Sequence, residues 1–152
     1  MSAPQALLEF FQKEATEYLD RLEQLLADAQ APDPSSFLTS ARALRGSATM
    51  TRLEGLPDFA STLERLAAGL RDGELRWDQR LHFAVRGAIA ELRQLVDRAP
   101  VWADADQRRA RTQSVALASV AAGYLATTSP AESPVLQVQP IARFFPDDGL
   151  PA

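Results

Sequence analysis

The sequence predicts an all-α fold: an antiparallel up-down four-helix bundle over residues 1–100, an additional packing helix over 101–128, and a Pro-rich extended tail over 129–152. Three observations predict it. Four segments carry apolar residues at helical spacing, short connectors rich in Pro, Asp and Gly separate them, and helix-forming residues return after Pro100 before prolines dominate the end of the chain. Amphipathic helices joined by short loops pack as antiparallel neighbours.

In the first segment, Leu7 to Ala29, the positions Leu8, Phe11, Ala15, Tyr18, Leu22 and Leu25 follow one another at intervals of 3, 4, 3, 4 and 3, with Leu19 and Leu26 widening the stripe. Pro32 and Pro34 stop this helix, and Asp33, Ser35 or Ser36 can cap the next. The second helix is expected from about Ser36 to Thr51, with Phe37, Ala41, Leu44 and Ala48 inward and Leu38, Arg42, Arg45, Thr49 and Arg52 on a solvated stripe. The third runs from Leu56 to Arg71 through Phe59, Leu63, Leu66 and Leu70, and Gly73 suits the left-handed residue that ends it. The fourth, Asp78 to Arg98, has Asp78 as its cap and Leu81, Val85, Ala88, Leu92 and Leu95 as its seam. A fifth helix is expected over Asp104 to Thr127, carrying Val115, Leu117, Val120, Tyr124 and Leu125. In the tail, five prolines accompany the apolar Val138, Ile141, Phe144 and Phe145, which suit docking on the bundle or on a partner.

Composition narrows the function. With 152 residues, 46% hydrophobic and 24% charged, the chain can bury a core of its own. A net charge of −4 and a pI near 5.0 weigh against nucleic acid, which needs a basic face to neutralise phosphates. The run Arg108, Arg109, Arg111 is too short to reverse that. Without cysteine there is no disulfide framework, thiolate metal site or thiol nucleophile, and a single histidine, His82, removes most metal and triad chemistry. No metal or cofactor is expected. The N-terminus lacks the basic-then-apolar pattern of a secretion signal, and the apolar run Val115 to Ala126 falls short of the ~20 residues that span a bilayer. The cytoplasm, with no membrane partner, is therefore the expected setting.

Single features are weaker than they look. Asp147 and Asp148 are neighbours that point opposite ways in an extended segment, so a solvated turn is expected there rather than a metal or acid–base pair. Trp77 and Trp102 read as packing anchors, and His82 as an ordinary surface or boundary histidine. One stretch stands apart: Ala41-Arg42-Ala43-Leu44-Arg45-Gly46-Ser47-Ala48. Arg42 and Arg45, three residues apart, share a helix face with Gly46 beside them. Glycine costs about 1 kcal/mol relative to alanine inside a helix, which marks a place where something approaches the backbone.

Four blocks in register give this stretch a context: Phe10-Phe11-Gln12-Lys13-Glu14-Ala15; Leu38 to Ala48; Leu53-Glu54-Gly55-Leu56; and Leu63-Glu64-Arg65-Leu66 with Leu70-Arg71-Asp72-Gly73-Glu74. Together, over residues 7 to 98, they resemble a histidine phosphotransfer (HPt) domain of the chemotaxis-kinase type. The resemblance implies a helical bundle in which a second-helix motif, His-x-x-Lys-Gly-Ser-Ala, takes a phosphoryl group from a kinase and passes it to a receiver domain. It implies that Arg45 keeps the motif's cation, that Gly46 and Ser47 match, and that Glu64 corresponds to a glutamate that orients the histidine. Arg42 stands where that histidine would be, and an ion pair between Arg42 and Glu64 is expected in place of the family's contact.

Guanidinium stays protonated below about 12 and has no acceptor lone pair, whereas imidazole titrates near 6.5 and has one. The chain thus reads as a pseudo-HPt module with no catalytic residue. Its expected partners are a response-regulator receiver domain or a histidine kinase, bound through Arg42, Arg45, Gly46, Thr49 and Leu38, with Glu64 and Ser47 in support. Two other readings stand beside it: the N-terminal phosphotransfer domain of a larger chemotaxis-type kinase, or a His-substituted variant of one, and a structural helical module that oligomerises.

Overall fold

The computed structural model describes residues 3–28 and 30–128. They form five α-helices: α1 (Ala3–Leu25), α2 (Pro34–Thr49), α3 (Leu56–Arg71), α4 (Gln79–Asp97) and α5 (Asp104–Thr128), with a short 3-10 turn at Ala99–Val101. The expectations for residues 129–152, including Asp147 and Asp148, and for the side chain of Leu125 lie outside the described residues.

The boundaries follow from capping chemistry. Asp33 accepts hydrogen bonds from the Ser36 backbone N–H at 3.0 Å and the Ser36 hydroxyl at 2.7 Å, and Pro34 occupies the first turn, where its missing N–H is harmless. Asp78 does the same for α4 by accepting from the Leu81 N–H at 2.9 Å. At the end of α3, Gly73 has φ of 78°, and the Glu74 N–H reaches back to the Gly69 carbonyl at 2.8 Å, closing the helix with otherwise unpaired groups. The first helix ends at Leu25, four residues before the sequence reading placed it, although Leu26 is still buried and packs in the core just past the last turn.

The second helix packs between two others. It contacts both α1 and α3, while α4 contacts α1, α3 and α5. Two neighbours widen the buried arc of α2 to include Phe37, Leu38, Ala41, Leu44 and Ala48. Leu38 is accordingly 3% exposed, which corrects its placement on the solvated stripe. Arg52 lies beyond the end of α2, so it does not continue that stripe either. Phe37, Leu19, Leu22, Leu44, Phe59 and Leu63 are among the fully buried side chains, each of a kind that contributes about 1.5–3 kcal/mol on burial.

The fifth helix packs on α3 and α4. Ala110 and Leu117 enter the core, and Asp106, Ser114 and Tyr124 bring polar groups to the buried side. Each of these is answered. Asp106 takes both Arg98 nitrogens at 3.1 and 3.2 Å and the Ala103 N–H at 3.0 Å; the Ser114 and Thr62 hydroxyls meet at 2.7 Å; and the Tyr124 hydroxyl donates to Asp78. At the opposite edge, Arg109 bridges to Glu91 at 2.7 and 3.0 Å. Gly55 makes the closest approach possible, because an added Cβ there would lie 2.8 Å from the Gln107 carbonyl oxygen, and its φ of 93° disfavours any other residue.

Trp77 and Trp102 both anchor packing. The Trp77 ring stands edge-on to Phe37 and to His82, and Trp102 donates its indole N–H to the Glu54 carbonyl at 3.2 Å.

Candidate functional site

The outward arc of α2 carries the cationic stretch, and α3 supplies its counter-charge. Arg42 and Arg45 are one turn apart on α2, and Glu64 faces them from α3. One carboxylate oxygen accepts from Arg42 Nε at 3.1 Å and the other from Arg45 Nε at 2.7 Å. The expected Arg42–Glu64 pair is thus present, with Arg45 as a second and closer partner. Side-chain exposures of 55% for Arg42, 36% for Arg45 and 19% for Glu64 place the carboxylate at the base and the guanidinium groups at the rim.

This geometry has electrostatic consequences. The Arg45 hydrogen bond, with a smaller contribution from Arg42, holds the Glu64 carboxyl below the ordinary glutamate value against the opposing effect of partial burial. Glu64 is therefore ionised at neutral pH, and one negative charge answers two positive ones. The trio keeps a net positive charge at the surface. Because Glu64 engages the Nε edge of each arginine, it fixes their stems and leaves their terminal nitrogens at the rim without a hydrogen bond among the described residues.

Gly46 follows directly, and an added Cβ there would meet no atom within 4 Å. The protein's own packing does not require a glycine at this position. Ser47 turns toward α1, where its hydroxyl donates to Glu14 Oε1 at 3.0 Å, and so pins α1 against α2 beneath the cationic face. Thr49 is exposed, with its hydroxyl donating to the Arg45 carbonyl at 2.8 Å. Beyond it Met50 is 71% exposed, and Phe10, one turn before Glu14, is 59% exposed. Leu38, in contrast, points into the core and is not part of this surface.

Glu14 is a site-supporting residue that the sequence reading did not identify. Its signal is its place immediately beside buried Ala15, at the edge of the α1 stripe, but a partner 33 residues away is set by helix register rather than by local spacing. His82 is also different from expectation. It is 9% exposed, its Nε2 lies 3.0 Å from the Leu26 carbonyl, and Trp77 packs edge-on against it, so it is more deeply placed than the surface or boundary position expected.

Sequence comparison with protein families matches residues 6–98 to the Hpt domain. The chain belongs to the Hpt domain family. Membership makes it a module of the kind that serves phosphotransfer signalling in two-component systems, whose members interact with histidine kinases and receiver domains. No curated protein matches the chain in sequence. Among the described residues, no helix is long and apolar enough to cross a membrane, and no cluster of three His, Cys, Asp or Glu side chains is placed to hold a metal ion.

Proposed function

We propose that this Hpt domain is a non-catalytic, chemotaxis-type pseudo-HPt module with the up-down bundle topology of its family. In this reading it docks a receiver domain or a histidine kinase through Arg42, Arg45, Gly46 and Thr49 and transfers no phosphoryl group. The observation that carries it is Arg42 itself. It occupies the exposed position that the resemblance gives to the phosphoacceptor histidine, it is held there by Glu64, and guanidinium offers no lone pair for phosphorylation.

The remaining histidine is poorly placed as a substitute, since its side chain is buried against Trp77 and its Nε2 lies 3.0 Å from the Leu26 carbonyl. Recognition, by contrast, has support. Two guanidinium rims suit the acidic pocket of a receiver, the absent side chain of Gly46 leaves clearance for an approaching backbone, and exposed Met50 and Phe10 offer apolar contact nearby. Binding of this kind, in a cytoplasmic pathway, sequesters the partner or competes with a phosphorylatable HPt domain.

Charge reversal tests the docking surface. Titration of the receiver domains encoded near this chain is expected to show about 10- to 100-fold weaker binding for Arg42→Glu than for the natural chain, since a carboxylate would then face carboxylates. Equal affinities for the two would overturn the proposed surface.

A further inference from the structure

The most exposed large apolar side chain among the described residues is Phe83, at 80%, on the outer face of α4. It stands at two adjoining clefts of about 460 and 340 Å³ between α4 and α5, which share Phe83, Ala84 and Val120. One turn further along α4, Gly87 is also exposed, and an added Cβ there would meet nothing within 4 Å. Glycine weakens a helix interior, and the bundle's own packing gives no reason for it at this position. The aromatic ring is a knob on the helix surface, and the glycine is a notch beside it.

A knob and a notch one turn apart are complementary to a second copy of themselves. Phe83 and Gly87 lie equally far on either side of Val85. A two-fold axis crossing α4 at right angles at that level runs two copies of the helix antiparallel and sets the Phe83 ring of each over the Gly87 of the other. The same axis keeps the α5 flanks of the two copies side by side.

Charge follows the same register. Arg80 and Glu91 both line the α5 side of the groove, toward its two ends, and their distances from Val85 differ by a single residue. Each copy therefore brings its Arg80 opposite the other's Glu91. The Arg80 guanidinium has neither a hydrogen bond nor an ion pair among the described residues. Glu91 accepts from Arg109 at 2.7 and 3.0 Å, and a carboxylate has lone pairs left for a second cation. On the other flank the two copies of Arg86 approach each other, and each lines a cleft that also holds Glu23. Asp20 and Glu23 share Arg93, which leaves one negative charge in excess beside each Arg86.

We infer that two copies of this chain associate through the α4–α5 face as an antiparallel two-fold pair centred at Val85. Phe83 sits over the Gly87 of the other copy, and Arg80 pairs with the other copy's Glu91. The strip from Gln79 to Glu91 is roughly 18 Å long at 1.5 Å per residue, so the interface is small and the association depends on concentration. The second helix contacts neither α4 nor α5, so the pair leaves the Arg42 surface uncovered in both copies. The inference is thus independent of what docks there.

Sedimentation velocity and light scattering on the full chain, from low micromolar to millimolar concentration, test it. Monomer is expected to give way to dimer across this range. Phe83→Ser removes a side chain that lies mostly in solvent and keeps the fold, which circular dichroism verifies, and it is expected to weaken dimerisation by about 10-fold or more. Gly87→Leu fills the notch without meeting the chain's own atoms at Cβ, and is expected to weaken it similarly. Arg80→Glu sets carboxylate against carboxylate and is expected to cost about 10-fold. A monomer at every concentration would overturn the inference and assign the groove to another occupant. A dimer as strong in Phe83→Ser and Gly87→Leu as in the natural chain would overturn it by placing the contact elsewhere, and one indifferent to Arg80→Glu would overturn the antiparallel register.

Discussion

Gly55 and Gly46 lie nine positions apart in sequence and obey opposite physics. Gly55 is demanded by the fold: its φ of 93° and the Gln107 carbonyl 2.8 Å from any added Cβ leave room for nothing larger. Gly46 sits in an ordinary helix with open space around it. The regions around them differ in the same way. On the α5 side, Asp106, Ser114 and Thr62 are satisfied within the protein, whereas on the outer face of α2 two arginines share one carboxylate and keep their terminal nitrogens outward. One region is consumed by folding, and the other is the face proposed above for a partner.

Substitution of each glycine gives the sharpest contrast. Gly55→Ala is expected to destabilise the protein by about 2–3 kcal/mol, through positive φ and the clash with the Gln107 carbonyl, and denaturant unfolding would measure it. Gly46→Ala is expected to act with the opposite sign, raising stability by about 0.5–1 kcal/mol while weakening partner binding. A loss of stability at Gly46 comparable to that at Gly55 would erase the distinction.

The smallest effect concerns pH. The folded state lowers the Glu64 carboxyl below its unfolded value near 4.3. Its ion pairs therefore contribute fully above that unfolded value, and the contribution is lost as pH falls through the lowered folded value. For a pair of this exposure the total is about 1 kcal/mol or less. Comparing acid unfolding of the natural chain with Glu64→Gln would show it, the variant having the shallower pH dependence.

The contrast between the two regions also explains what the sequence made legible. The third helix, Leu56–Arg71, was readable end to end because its stripe begins at Leu56 and Gly73 marks its end. Asp78 was readable as a cap, and Asp33 as one of three candidates with Ser35 and Ser36, because capping depends on residues only three apart. The cationic stretch was visible for the same reason, being local to one helix. Its supports were harder. The Arg45–Glu64 bond and the Glu14–Ser47 bond join different helices, and their existence depends on how those helices are rotated and shifted. Leu38 was assigned outward from a single stripe, but the helix between two neighbours has a broader buried arc. His82 was expected at the surface or boundary, and the Leu26 carbonyl just past α1 draws it deeper by giving its ring nitrogen a partner.

Phosphoryl acceptance by the natural chain and by Arg42→His, incubated side by side with a phosphorylated cognate receiver or kinase, tests the central proposal most directly. The natural chain is expected to take no acid-labile label, and the histidine variant is expected to take it, since Arg45, Gly46 and Glu64 remain in place around the new imidazole. Acid-labile label on the natural chain would contradict the account.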